Sequence, residues 1–193
     1  MRNAKKVADE NINLLKDLIS EETPLIGIEV SAVLSFRDEY LDLVNPALKT
    51  SAEKISKSTF TFDEFLAKEI QLGKISKDSF TEASQKIKLH GHCQQKAIAS
   101  TQAALEILSF PKNYSVDEIP SGCCGMAGSF GYEKEHYDLS MKVGELVLFP
   151  EIRKEKNGTI ICAPGTSCRH QISDGTGKNS LHPVEIMYDA LIK

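Results

Sequence analysis

The sequence lacks long apolar runs, a strong net charge, and any closely spaced Cys-x-x-Cys pair. Its longest apolar stretches, such as Leu146 to Phe149, are far too short to cross a bilayer. Met1-Arg2-Asn3 leads into a polar segment with no apolar h-region, so no signal peptide is expected. A net charge of −4 over 193 residues gives no reason to expect nucleic acid as a partner. Gly125, Gly128 and Gly131 match neither Gly-x-Gly-x-x-Gly nor the Gly-Lys-Ser/Thr loop, so a phosphate site is poorly supported. These absences point to a cytoplasmic location, or a peripheral one at the inner membrane, with no transmembrane segment.

What is present is ordinary in bulk: 41% hydrophobic and 26% charged residues, enough for one domain or two small ones with a real core. In a reducing compartment, five cysteines are better read as metal ligands or redox groups than as a disulfide frame. Val7, Ile12, Leu15, Leu18 and Ile19 fall near one face of a helix over 4–19, which Pro24 closes. Leu25 to Val30 reads as a short strand, Ala32 to Tyr40 as a turn or helix, and 45–60 as a polar loop or weak helix. Thr61-Phe62-Asp63-Glu64 is a capping box with Phe60 and Phe65 as its staple, predicting a helix through Gln71 that stops at Gly73.

The second half alternates more plainly. Strands are predicted at Lys86–His90, Ser115–Ile119 and Gly158–Cys162. Helices are predicted over 94–108, 133–147, from Ser167, and from His182-Pro183. The expected fold is therefore α/β, a mostly parallel sheet with flanking helices. A faint internal echo links Ile26–Ala32 with Ile160–Cys168, and puts Ala32 where the second copy has a cysteine.

Cys93, Cys123, Cys124 and Cys168 each follow a predicted strand. In a parallel sheet those loops share the carboxyl edge, where open α/β folds bind ligands. Four thiolates there could hold an iron–sulfur cluster, and helix N-termini beside them would favour negative charge. Gly122 and Gly125 would let backbone amides approach the sulfurs, and His92 is the histidine expected nearest the site. A lone cysteine is usually packing, which is the reading for Cys162 in its apolar strand. Lys96 and Arg169 read as solvated charges, although either could support an anionic cluster. His90, His92, His170 and His182 keep a zinc site of cysteine and histidine open, although the spacing gives it no support.

Three stretches carry a family resemblance: His90-Gly91-His92-Cys93-Gln94-Gln95-Lys96, Gly122-Cys123-Cys124-Gly125-Met126-Ala127-Gly128-Ser129-Phe130-Gly131, and Gly165-Thr166-Ser167-Cys168-Arg169-His170-Gln171. They resemble the cysteine-rich CCG domain. That domain occurs in the iron–sulfur subunit of glycolate oxidase, in anaerobic glycerol-3-phosphate dehydrogenase and in heterodisulfide reductase. The pattern is most similar to the C-terminal end of fused FAD-linked oxidases of the D-lactate or D-2-hydroxyglutarate dehydrogenase type.

The resemblance implies that residues 1–80 are the tail of a degenerate first CCG repeat and 81–193 a second repeat carrying the site. It implies a cluster, of the four-iron four-sulfur kind, held by Cys93, Cys123, Cys124 and Cys168. The partner would be a flavin domain with bound FAD outside this chain, and the acceptor a quinone or another carrier. The chain would then be the electron-transfer part of an oxidoreductase, not catalytically complete alone and a piece of a longer protein. Many CCG domains end in Cys-x-x-Cys, whereas Gly165 stands at the first of those positions here. That departure argues against a more elaborate cluster. Two other readings stand beside this one: a zinc-binding or metal-free docking module, and a thiol–disulfide site at Cys123-Cys124, whose adjacent cysteines would form a strained, labile ring.

Overall fold

The computed structural model describes residues 1–192, and its chain divides into two compact units, Met1–Phe65 and Leu66–Lys193. The first unit runs α1 (Arg2–Leu15), β1 (Leu25–Gly27), α2 (Val30–Val33), α3 (Glu39–Leu43), α4 (Lys49–Lys57) and β2 (Thr59–Thr61). Then α5 (Phe62–Gln71) carries the chain across the division. The two strands pair in parallel, Ile26 opposite Phe60. Ala8 and Ile12 from α1 pack with Val44, Ala52 and Ile55 as the core of this unit.

Two local expectations are refined here. Of the loop or weak helix expected over 45–60, the helix forms, because Ala52 and Ile55, one turn apart in α4, give that otherwise polar segment a fully buried stripe; the strand that follows at Thr59 was not expected. The strand β2 has no apolar signature because its buried positions are Thr59 and Thr61. Thr59 satisfies its hydroxyl by donating to the Ile55 carbonyl at 2.8 Å. The capping box at Thr61 is formed in both directions, with Glu64 Oε2 accepting from Thr61 N at 3.0 Å. Gly73, at φ +69°, ends the turn after α5 as expected.

The second unit continues with β3 (Gln85–Leu89), α6 (Cys93–Ile98), α7 (Gln102–Leu108), β4 (Tyr114–Glu118), α8 (Tyr137–Leu146), α9 (Leu148–Lys154), β5 (Ile160–Cys162), α10 (Thr166–Thr176) and α11 (Pro183–Asp189). Its three strands form a parallel sheet in the order β4-β3-β5. The α/β class and the parallel sheet with flanking helices are as the sequence implies. The single helix expected over 94–108 is two, because Ser100 takes up a local bond and Thr101 a bond to β4. Ser100 Oγ accepts from Gln102 N at 3.0 Å, and Thr101 Oγ1 donates to Glu118 at 2.8 Å. The helix expected from Glu133 begins at Tyr137, and Val147, at φ −145°, separates it from α9, which the sequence pattern does not reveal.

Phe149, fully buried, is the centre of the core, with Leu148, Ile152, Ile161 and Ile172 around it. Its ring edge lies between two glycines. A Cβ on Gly144 would stand 2.2 Å from Phe149 Cζ, and one on Gly175 would stand 2.3 Å from the same atom. The ring therefore cannot retreat from one helix without striking the other. Cys124 and Cys168 belong to this same core cluster. Among the described residues no helix is long and apolar enough to cross a membrane. Gly175→Ala is expected to destabilise the chain by about 1–3 kcal/mol through overpacking, read as a lower urea midpoint at unchanged slope.

Candidate metal centre

The three strands of the second unit end level with one another. Leu89 is opposite Glu118 on one side and Cys162 on the other. His90 N donates to the Cys162 carbonyl and Ile119 N to the Leu89 carbonyl, each at 2.8 Å, which continues the ladder one residue past the strands. The chain then leaves the sheet at a single edge, in three loops that carry His90 to Cys93, Ser121 to Cys124, and Ala163 to Cys168. This is why residues far apart in sequence meet.

The four cysteines stand in series, Cys93 beside Cys123, Cys123 beside Cys124, and Cys124 beside Cys168, each near enough to shift its neighbour's ionisation. All are reduced thiols. Cys93 and Cys123 are half-buried, while Cys124 and Cys168 are buried. Cys162 is fully buried inside β5. Negative charge settles on alternate members of the series. Hydrogen bonds from Cys124 and Cys93, then from the amides of Gly125 and Ala127, hold the Cys123 thiol far below its ordinary range. Cys168 is held down to about 5, first by its hydrogen bond with Cys124, then by His90 and the charge of His92. Cys93 is pushed up by its bond to Cys123 and by burial, and Cys124 by its bonds to Cys123 and Cys168. The downward shifts thus fall on Cys123 and Cys168, and the upward ones on Cys93 and Cys124.

The backbone after the cysteine pair is shaped to serve sulfur. Gly125, Ala127 and Gly128 have φ of +106°, +42° and +70°, a left-handed run that turns successive amides toward one side. Gly125 N donates to Cys123 Sγ at 3.3 Å, and the Met126 amide reaches Cys124. Only glycine fits at 125, where a Cβ would meet the Ser140 carbonyl oxygen at 2.2 Å. That contact is with α8, in which Gln171 Nε2 holds Ser140 Oγ at 2.9 Å. Gly122, by contrast, is exposed, with open space where its Cβ would be.

His92 caps α6 by accepting from Gln94 N at 3.2 Å, and its ring fills the space above Gly165. A Cβ at 165 would lie 2.5 Å from His92 Cδ2 and 3.3 Å from Cys168 Sγ. His182 caps α11, and His170 lies exposed on α10, 2.7 Å from Tyr132 Oη. Lys96 and Arg169 are not the solvated charges the sequence implied. Lys96 Nζ donates to the Ser121 carbonyl at 2.8 Å and pairs with Glu118 at 3.1 Å. Arg169 donates to the carbonyls of Ala163 and Pro164, at 2.9 and 3.0 Å. Each therefore fastens one of the cysteine-bearing loops.

Sequence reasoning kept His90 only as one of four histidines open to a zinc site, and ranked His92 ahead of it. His90 is fully buried, and its ring lies with Cys124 and Cys168 in a group whose donor atoms are all within 4.8 Å of one another. Its Nδ1 bonds Ser121 Oγ at 2.8 Å, and its Nε2 is buried with no hydrogen-bond partner. The only signal in the sequence was its place at the end of a strand, shortly before Cys93. The donor set suits a thiophilic metal: soft thiolates, a borderline imidazole and an orphaned nitrogen among them.

The fold and site thus define an α/β unit with a cysteine–histidine group, able to hold metal, at the carboxyl edge of a parallel sheet. The chain is similar to one subunit of the anaerobic glycerol-3-phosphate dehydrogenase of Escherichia coli K12, with 25% identity over 97% of this chain and 46% of that protein. It is similar to the D-2-hydroxyglutarate dehydrogenases of Escherichia coli K12, 25% identical over 98% of this chain, and Pseudomonas putida, 26% identical over 94%. It spans 17% of the length of each of those two. No protein-family profile matches the chain, and no solved structure matches it significantly.

Two outcomes are expected. A folded Cys168 ionises near 5 and an unfolded thiol near 9, so folding releases a proton between those values. The stabilisation is full above about pH 9, and it declines as pH falls until it is gone below about 5. The melting temperature of the metal-free chain should therefore rise with pH across that window, and Cys168→Ser should flatten the rise. Gly165→Ala should destabilise the chain by about 1–3 kcal/mol. His92→Ala should recover most of that loss, as a positive coupling in a double-mutant cycle.

Proposed function

We propose that this chain is the iron–sulfur electron-transfer module of an FAD-linked 2-hydroxy acid oxidoreductase. In this reading Cys93, Cys123, Cys124 and Cys168 hold one cluster, of the four-iron four-sulfur kind. Residues 81–193 form the CCG repeat that carries it, and residues 1–80 are the tail of a first repeat in which Ala32 replaces a cysteine. The observation that carries the proposal is the convergence of four reduced thiols from three loops, with backbone amides aimed at their sulfurs. Similarity to dehydrogenases of which this chain spans only a part supports a partner domain that performs the oxidation.

A bound cluster would supply one-electron transfer between a flavin and a quinone or other acceptor. The chain's own residues do the rest. The amides of Gln94, Gly125, Met126 and Ala127 offset the negative charge of the sulfurs, which raises the potential of whatever they bind. Lys96 and Arg169 hold the loops so that little rearrangement accompanies a change of charge. The burial of Cys124 and Cys168 keeps water from one side, while half-exposed Cys93 and Cys123 leave a path for electrons on the other. No side chain here needs to act as general acid or base.

A zinc site is the second reading, favoured by the compact trio of His90, Cys124 and Cys168. Anaerobic purification with iron and acid-labile sulfide counted per chain separates the two. About four of each, lost in Cys124→Ser, is the expected result. Zinc without sulfide would overturn the relay in favour of a structural or docking role.

A further inference from the structure

We infer that His90 is itself a metal ligand, its Nε2 joining Cys124 and Cys168 to form the buried corner of the centre. The inference rests on reading the site as a metal centre, but not on the metal being an iron–sulfur cluster.

The simplest competing account is a core histidine with both nitrogens satisfied, and His90 does not meet it. The side chain is fully buried, so neither nitrogen can turn to bulk water. Nδ1 is committed to Ser121 Oγ at 2.8 Å. The Ile119 carbonyl, 3.5 Å from Ser121 Oγ, is available to take the hydroxyl hydrogen, which leaves Oγ able to accept from His90 Nδ1. In the tautomer this arrangement accommodates, the proton sits on Nδ1 and Nε2 presents a lone pair. This is the arrangement in which a second partner orients a metal-binding imidazole and raises its basicity. Proximity to His90 helps to depress Cys168, but no bond of acceptable hydrogen-bond geometry joins them, and Nε2 has no other partner. A buried acceptor left without a partner is a standing cost, which a metal at that point would remove.

The surroundings agree. The donor atoms of His90, Cys124 and Cys168 lie within 4.8 Å of one another, a span that one metal ion can bridge. Each is anchored by a different element: His90 by the end of β3, Cys124 by the left-handed loop, Cys168 by the first turn of α10. Ser121 ties the first two together, since Lys96 holds its carbonyl while its hydroxyl holds the imidazole. These three donors are therefore positioned before any metal arrives, whereas Cys93 and Cys123 lie on the half-exposed side and have more freedom to adjust. A neutral imidazole in place of one thiolate lowers the negative charge of the centre and raises its potential. With His90 included, five donors face a centre that needs four, and one of the half-exposed thiols is spared.

The test uses the whole chain, labelled with 15N-histidine, purified anaerobically and reduced, and read by pulsed electron paramagnetic resonance. The expected result is the 15N coupling of a directly bonded imidazole, lost in His90→Ala. A cluster present without that coupling in the unmutated chain overturns the assignment of His90 and leaves the electron-relay reading intact. This arm needs no variant to fold. A chain without iron or sulfide would overturn the relay instead, and cobalt(II) added to the metal-free chain then decides the role of His90. Tetrahedral cobalt bands with affinity weakened about tenfold or more in His90→Ala support the ligand. Equal affinity in the two chains, or no cobalt binding, overturns it.

Discussion

Two backbone hydrogen bonds determine where everything else in the second unit can go. His90 N to the Cys162 carbonyl and Ile119 N to the Leu89 carbonyl bring the three strands to a common end. In a parallel sheet every exit loop from that end emerges on the same side. A slip of one residue in either pairing would turn each strand's buried side chains to the other face, and would take one loop out of reach of the other two. The convergence of sulfurs is therefore a property of strand register first and of side chains second.

The electrostatics follow from that convergence. Four thiols brought close together do not ionise alike, and their shifts run in alternate directions along the series. The backbone contributes to this pattern, because the left-handed run at Gly125 to Gly128 sends its amides to the same sulfurs. Ala127 adopts a conformation that alanine rarely takes. Strain of this kind persists only where the surroundings over-determine it, and here Gly125 against Ser140, with Ser140 held by Gln171, provides that constraint.

Much of this was legible in the sequence, for identifiable reasons. The apolar strands of the second unit, with glycine or proline at their ends, gave the parallel sheet. The position of each cysteine after a strand gave the meeting point. What escaped notice depends on contacts made in three dimensions. β2 buries threonines, so no apolar pattern marked it. Ser100 and Thr101 break a helix through one local bond and one to β4, which composition does not announce. Lys96 and Arg169 looked like surface charges because nothing in a linear sequence shows a carbonyl folding back beneath them. His90 looked like one of several turn histidines until its burial and its bond to Ser121 set it apart.

Cys124 and Cys168 sit in the same cluster as Phe149, Ile152 and Ile172, so the reactive sulfurs and the hydrophobic core are one body. Whatever alters those sulfurs, whether metal loss, oxidation or alkylation, is felt directly by the packing that keeps the unit closed. A copy damaged at its sheet edge opens more often, and the open form is what proteases recognise. The packing of this unit and the chemistry of its two buried sulfurs therefore cannot be altered one without the other.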